Sequence, residues 1–371
     1  MNRIWIMVLC CVWFGFACSG DYDDTHFIDY AGLNIIDVEL DLEISESEQF
    51  IPGRLNDLVV FPDGTMLVSD QTRVVIEHFT AEGEYVGIVA SEGGGPGELP
   101  GSFSIMGFGL DTLLVIHQGG RKDYYVRGTD GTFAHTRGVI MEPGQRRISV
   151  AGRKSGAEYF AMSTDPGFTP SMTNDYDEYH NEFLVVTDER NHILRDSLHT
   201  FKTPSPYIQI TRIDGEIRSM NMFSNPPFPY RSQDRFLVME DGCYMVARVD
   251  SSAFFIYNSD DELEQSIHLN ITPRPVERSD LERFDQSFRQ LAPDVKPPFL
   301  DVWLSDEKIM LHTDSDEEDQ EIVLLNFEGE ILGKFLLPEM DDIRHFSEER
   351  IYTLHKDPDV GNSIRIYQLK L

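Results

Sequence analysis

Six times along the chain a short apolar strand runs into a tight turn and a second strand, then a third that ends in an acidic or glycine-rich turn. The third-strand ends read HFTAEGEYVG (78–87), YVRGTDGTFAH (125–135), LVVTDERNHIL (184–194), FIYNSDDELEQ (255–265) and LLNFEGEILGK (324–334), and IRIYQLKL (364–371) stops where its turn would come. Repeats of about 40 residues built from short strands bury their faces only against their neighbours, which is the logic of propeller blades. The fold class is therefore all-β, a six-bladed β-propeller of four-stranded blades within residues 34–371.

The blades can be laid out from their inner strands, at Leu55–Phe61, Phe103–Leu110, Arg147–Gly152, Arg235–Glu240, Phe299–Ser305 and Asp342–Ser347. Each is followed by a Gly or acidic reversal and a second strand: 66–70, 113–117, 159–163, 244–248, 309–313 and 351–355. The last blade lacks an outer strand, while residues 34–44 upstream of the first blade alternate apolar and polar from Val38 onward. A strand of period two needs a sheet, so this segment is expected to complete the last blade and close the ring without an exposed edge.

Arg3, an apolar run from Ile4 to Phe16 and Ala17-Cys18 precede a polar stretch. The run is too short for a membrane-spanning helix and has the form of an export leader. The Gly15-Phe16-Ala17-Cys18 end resembles the lipobox of bacterial lipoproteins, with Gly15 a departure from the usual larger residue. The resemblance implies a signal peptide over 1–17, lipid on Cys18, a tether over 18–33 and a place in the cell envelope, anchored to a membrane. Of the other cysteines, Cys10 and Cys11 lie in the leader, so Cys243 has no partner for an internal disulfide and reads as a small apolar residue.

The first blade, Leu55-Asn-Asp-Leu-Val-Val-Phe-Pro-Asp-Gly-Thr-Met-Leu-Val-Ser-Asp70, with Val75–Glu84 and Gly93-Gly-Gly-Pro-Gly-Glu-Leu99, resembles an NHL repeat. The whole arrangement resembles the six-bladed propeller lipoproteins of Bacteroidota-type envelopes. That resemblance covers blade one best and blades three, four and six least. It implies fold and location and brings no catalytic residue.

With 31 basic and 64 acidic residues the chain carries a net charge of −33. Such a balance excludes a general nucleic-acid binder and opposes adsorption to anionic lipid. It leaves open attraction of cationic ligands or divalent metals, and plain solubility in salt-rich surroundings.

In a propeller the links between blades and the loops between second and third strands share one face. All the long insertions, Thr164–Asn181, Pro204–Gln233 and Pro273–Pro298, fall there. Loops of that length are uncommon unless functional, so this face is expected to bind a glycan, a peptide or a protein. Phe228, Tyr230 and Arg231 in the middle loop expose aromatic groups among prolines, suited to stacking on a sugar ring or gripping a peptide. In the third loop Leu281, Phe284, Phe288 and Leu291, three or four apart, predict a short amphipathic helix.

The second strands end on the same face with Asp70, His117, Ser163, Arg248, Thr313 (after His312) and His355. Asp70, His117 and His355 are candidate ligands for a metal across the channel, the arrangement of some NHL-like propeller lyases. No local ligand pair supports them, so no cofactor is assigned. A metal-dependent lyase or hydrolase at the channel is the alternative to a binding module, and a non-catalytic scaffold subunit is a third. Gly93–Gly97 lacks the Lys and helix of a phosphate loop and reads as a link between blades. The acidic runs Asp314–Asp319 and Asp357–Asn362 read as solvated hairpin tips.

Overall fold

The computed structural model describes residues 25–28, 32–118, 120–141, 148–164, 179–204, 207–213, 216–223, 230, 233–239, 242–284, 286–289, 292–305, 307–314, 319–347 and 349–371. The leader, Cys18, Phe228, Arg231 and most of the first long loop lie outside the described residues.

Six four-stranded antiparallel units form the blades. Blade one comprises Leu55–Val60, Met66–Asp70, Val75–Phe79 and Tyr85–Ser91 from inside to outside. Its two middle strands are buried at every residue, because each blade is covered by a neighbour on both faces, and alongside consecutive apolar residues (Met66, Leu67, Val68; Val75, Ile76) they bury the polar Ser69, Asp70, Glu77 and His78. The outer strand Tyr85–Ser91 alternates, since one of its faces meets water.

The core is divided among the junctions between blades. Val59, Leu67 and Leu113 pack blade one against blade two, while Phe160, Val186 and Tyr244 join blades three and four. Corresponding apolar clusters fill the other junctions, so each blade is stable only in the company of its neighbours.

The strand Asp37–Ile44 pairs antiparallel with Gly361–Lys370, from Asp37↔Lys370 to Ile44↔Ile364, and completes blade six as expected. A register shift between Leu40 and Leu42 alters which way its apolar residues point. Val38 packs with the cluster between blades five and six, whereas Leu42 and Ile44 join the one between blades six and one. A simple alternation would have placed them all on one side. The bulge lets one strand seal both junctions, leaving Leu40 43% exposed at the turnover.

Two features were not legible beforehand. Thr25–Ile28, inside the span assigned to the tether, forms a strand parallel to the outer strand of blade four, Leu263–Ile271. The middle loop contains a hairpin, Tyr207–Ile213 with Glu216–Phe223, which among the described residues pairs only with itself. Among the described residues no helix is long and apolar enough to cross a membrane. Cys243 is half-buried and unbridged.

The junction between blades three and four holds a pH-sensitive group. His199 lies 4.6 Å from the Tyr257 ring, with Nε2 3.0 Å from the Tyr244 hydroxyl. Burial, reinforced by the Arg248 charge, lowers its pKa to about 4. The unfolded chain then binds this proton near pH 6.5 and the folded chain only near pH 4, so stability contributed at neutral pH is lost as pH falls through that window. Lowering the pH from 7 to 5 is expected to cost about 1–2 kcal/mol through His199. Urea titrations of wild type and His199→Gln at both values check this, and an equal loss in the two proteins rejects the assignment.

Candidate functional site

The second-strand ends lie where the sequence placed them, but Asp70, His117, Arg248 and His355 are each engaged within their own part of the ring. Asp70 is fully buried and accepts backbone N–H groups from Gly53 at 2.7 Å, Thr72 at 2.9 Å and Arg73 at 3.1 Å. A Cβ on Gly53 would stand 2.8 Å from both carboxylate oxygens, so glycine is what admits this approach. Asp70 thus fastens the segment before blade one to the turn after its second strand.

His117 shares a hydrogen bond between Nε2 and Asp123 Oδ2 at 2.8 Å, and Asp123 also meets His135 at 3.1 Å and Arg121 Nε at 2.7 Å. Burial holds the His117 pKa below its ordinary value, against the pull of Asp123. His355 Nδ1 lies 2.6 Å from Asp341 Oδ1, and the Tyr367 hydroxyl donates to the other oxygen of that carboxylate. Arg248 donates to Asp234 Oδ2 at 2.6 Å and to the Thr200 carbonyl at 2.8 Å, with its guanidinium 4.9 Å from the Phe201 ring centre. His312 sits beside the Trp303 ring opposite Asp301, and burial lowers its pKa. Asp70, His117 and His355 belong to blades one, two and six and are not brought together. Among the described residues no group of three His, Cys, Asp or Glu side chains could hold a metal ion.

Polar groups converge elsewhere on the same face, where the middle and third loops meet the end of blade five's second strand. Tyr230, expected to be an exposed aromatic, is 5% exposed. Its ring packs edge-on against Phe284 at 5.8 Å, and its hydroxyl donates to Asp314 Oδ2 at 3.3 Å. Asp314, expected in a solvated tip, is 3% exposed. Its carboxylate lies 2.6 Å from Lys296 Nζ and also takes a bond from Arg283, while Arg274 donates to its carbonyl. Lys296 Nζ bonds Asp280 Oδ1 at 2.8 Å, and Asp280 Oδ2 accepts the Glu277 N–H at 2.7 Å.

These charges hold one another. Burial works against the Lys296 ammonium, but Asp280 and Asp314 outweigh it and raise its pKa. Arg283 is likewise raised, by Asp314 against burial. Desolvation, then the Asp314 charge, pushes the Tyr230 phenol up, so it remains a protonated donor. Asp280 ends below the ordinary carboxylate range because Lys296 overcomes its desolvation. Two cations lie against the Tyr230 ring, with Lys296 Nζ 5.5 Å and the Arg283 guanidinium 5.6 Å from its centre.

Among its described residues the third loop is less helical than the apolar spacing predicts, and Leu291 lies outside them. It has a 3₁₀ turn at Ser279–Leu281 and one α-helical turn at Gln286–Arg289. A segment this short gains little from helix formation alone. Its backbone is instead bound by side chains, with Arg289 donating to the carbonyls of Glu282 and Phe284 at 2.8 Å each. Sequence reasoning missed Asp280, Arg283, Lys296 and Asp314. The available signal was the density of Arg274, Arg278, Arg283, Arg289 and Lys296 in one loop of a strongly acidic chain.

No protein-family model matches the sequence, and no curated protein matches it. Among solved structures, a protein of Bacteroides fragilis NCTC 9343, named for its inferred export, is similar at a TM-score of 0.51 and 10% identity, over 94% of this chain and 99% of that one. A catalytically inactive virginiamycin B lyase from Staphylococcus aureus with quinupristin gives a TM-score of 0.43 and 10% identity, over 90% of this chain and 100% of that one. BamB from Moraxella catarrhalis gives 0.37 and 10%, over 91% and 99%. The last two likenesses carry no functional argument. The first, with the strand order, establishes architecture: this chain is a six-bladed β-propeller.

Proposed function

We propose that the protein is an envelope-anchored binding module, tethered through lipid on Cys18, that engages a glycan, peptide or protein with its loop-bearing face. The observation that carries this reading is the convergence of Tyr230, Asp280, Arg283, Lys296 and Asp314 where the middle and third loops meet. A network of that kind keeps long loops in a fixed arrangement, which lowers the entropic cost of binding. The leader that resembles a lipobox and the NHL-like first blade support the location. The reading assigns no catalytic residue and no cofactor.

The test is binding of the soluble chain, begun at Ser19, to glycan and peptide arrays. Replacing 207–223 by a short Gly-Ser bridge removes no blade strand, since among the described residues that hairpin pairs only with itself. The variant is expected to keep the wild-type Tm within about 3 °C, a shift worth about 2 kcal/mol for a domain of this size, and to lose array binding at least tenfold. Absence of signal on both arrays, or undiminished binding by the variant, overturns the reading.

A further inference from the structure

Residues 25–28 and 34–44 touch the rims of blades four, five and six in turn and form a strap along them. Its two ends are held differently. Asp37–Ile44 is the fourth strand of blade six. At blade five Lys334 N–H donates to the Asn34 carbonyl and Ile36 N–H to the Lys334 carbonyl, each at 2.8 Å. Gly333 admits that approach, since a Cβ there would lie 2.8 Å from the Asn34 oxygen. Thr25–Ile28, by contrast, is a fifth strand on a blade that already has four. It runs parallel to the outer strand Leu263–Ile271, with Thr25 opposite His268 and Ile28 opposite Ile271.

The seat of that fifth strand overhangs its own sheet. Blade four's third strand, Ala253–Tyr257, pairs with the outer strand only from Leu263 to His268. Just beyond, Leu269 N–H still turns inward, to the Ser252 carbonyl at 2.8 Å. Successive residues of a strand direct their N–H groups to opposite edges, so His268 and Asn270 present theirs outward, to the strap. Among the described residues, Asn270 and Ile271 have strand partners only in Phe27 and Ile28. The overhang leads straight into the Pro273–Pro298 loop. A strand seated on it in parallel therefore runs toward the loops of the candidate site. Parallel pairing is less stable per residue than antiparallel, and a strand of four residues makes few bonds.

We propose that the outer edge of blade four is a peptide-binding edge, which takes an extended segment of a partner protein as a parallel fifth strand and which Thr25–Ile28 occupies until displaced. This rests on the reading of the loop-bearing face as a binding face and names its ligand as an extended peptide. Three features favour that ligand over a glycan or a folded surface. The edge offers backbone N–H and carbonyl groups in a row, which another extended backbone satisfies. The strap itself demonstrates that a parallel strand fits there. The adjoining third loop is placed to meet side chains of the same peptide, so that the ladder supplies affinity and the loop specificity. Tethering gives the strap a high effective concentration at the edge, so a free peptide competes poorly while the strap is seated.

Fluorescence anisotropy of a labelled peptide of residues 23–30, titrated with the full chain, tests this. Proline has no N–H to give to a ladder. Of two successive residues one turns its N–H to blade four, so His26→Pro together with Phe27→Pro unseats the strap. That variant is expected to bind the peptide at least tenfold more tightly than wild type. Adding Asn270→Pro, which removes an outward N–H and leaves the inward bond of Leu269, is expected to return binding to the wild-type level. No gain in the first variant, or a gain that survives Asn270→Pro, overturns the proposal. Hydrogen exchange in the unaltered chain gives a second check: Asn270 is expected to exchange at least tenfold faster than Leu269, and equal protection overturns a displaceable strap. Dimerisation of the wild type that Asn270→Pro abolishes would assign the edge to a second copy and overturn a separate partner. Array binding that needs the 207–223 hairpin, with no gain on unseating the strap, overturns the edge and leaves the binding-module reading. Failure of both assays overturns both.

Discussion

A chain that begins at Ser45, lacking the strand Asp37–Ile44, is expected to lose cooperative folding. Its absence removes Ile36 and Ile44, each 8% exposed, from two different junctions. Truncating a buried isoleucine costs about 2–5 kcal/mol, so the pair alone approaches the 5–15 kcal/mol that typically separates folded from unfolded domains. The hydrogen-bond ladder to Gly361–Lys370 also goes. So do ion pairs across it, Arg365 to Glu43 at 2.9 Å and Lys370 to Glu39 at 2.6 Å, which are exposed and contribute little. The third strand of blade six would become an open edge with Ile364, Ile366 and Leu369 beside it, a template for aggregation. Circular dichroism and size-exclusion chromatography would show a broad transition and oligomers. A synthetic peptide spanning 34–46 is expected to restore the sharp transition. A truncated chain that stays monomeric and melts within a few degrees of wild type would show that the ring closes without this strand.

The second large effect is expected at Asp314. Its carboxylate stands between Lys296 and Arg283 and takes the Tyr230 hydroxyl, with the side chain only 2% exposed. Removing one member of a buried pair costs about 3–5 kcal/mol. Two features lower that figure: the Arg283 side chain is 44% exposed and can turn to water, and Lys296 keeps Asp280. Asp314→Ala should therefore cost roughly 2–3 kcal/mol, localised to the loops. That corresponds to a roughly 30- to 150-fold rise in local opening. Limited proteolysis within 273–298 under conditions where reclosing outpaces cleavage reads this ratio directly. Asp314→Asn, which keeps an acceptor for Lys296, should fall between wild type and Asp314→Ala. An unchanged cleavage rate in Asp314→Ala would mean that the network does not hold the third loop, and would remove the main support for a preorganised binding face.

The two results would separate what holds the ring from what shapes its face, and the sequence spoke to these unequally. Blade order, the ends of the second strands and the closing role of the segment near 34–44 follow from short-range signals: period-two alternation, continuous apolar runs and tight-turn residues. Those signals are local, and burial on both faces of a middle strand such as Met66–Asp70 leaves a trace in its consecutive apolar residues Met66, Leu67 and Val68. The Gly93–Gly97 segment, where Gly95 N–H donates to Glu98 Oε2 at 2.6 Å, is likewise a link between blades, as its neighbours in sequence imply.

The face is another matter. Asp314 looked like one of several carboxylates in an acidic run, and Tyr230 like one of several aromatics among prolines. Their burial depends on Arg283, 53 and 31 residues away from them in the chain, and on Lys296. The candidate ring of Asp70, His117 and His355 had the converse fate. Similar positions in successive blades suggested convergence, yet the nearest partner of each lies close by, in the Gly53 and Thr72 backbone, Asp123 and Asp341 respectively. By itself, then, the sequence determined the repeat, the blade architecture and the way the ring closes, because strand alternation and turn chemistry are written residue by residue. Only the tertiary structure decided which charges meet, where the strap runs and which aromatic group is hidden. Those outcomes depend on long-range pairing and desolvation, and no local pattern encodes them.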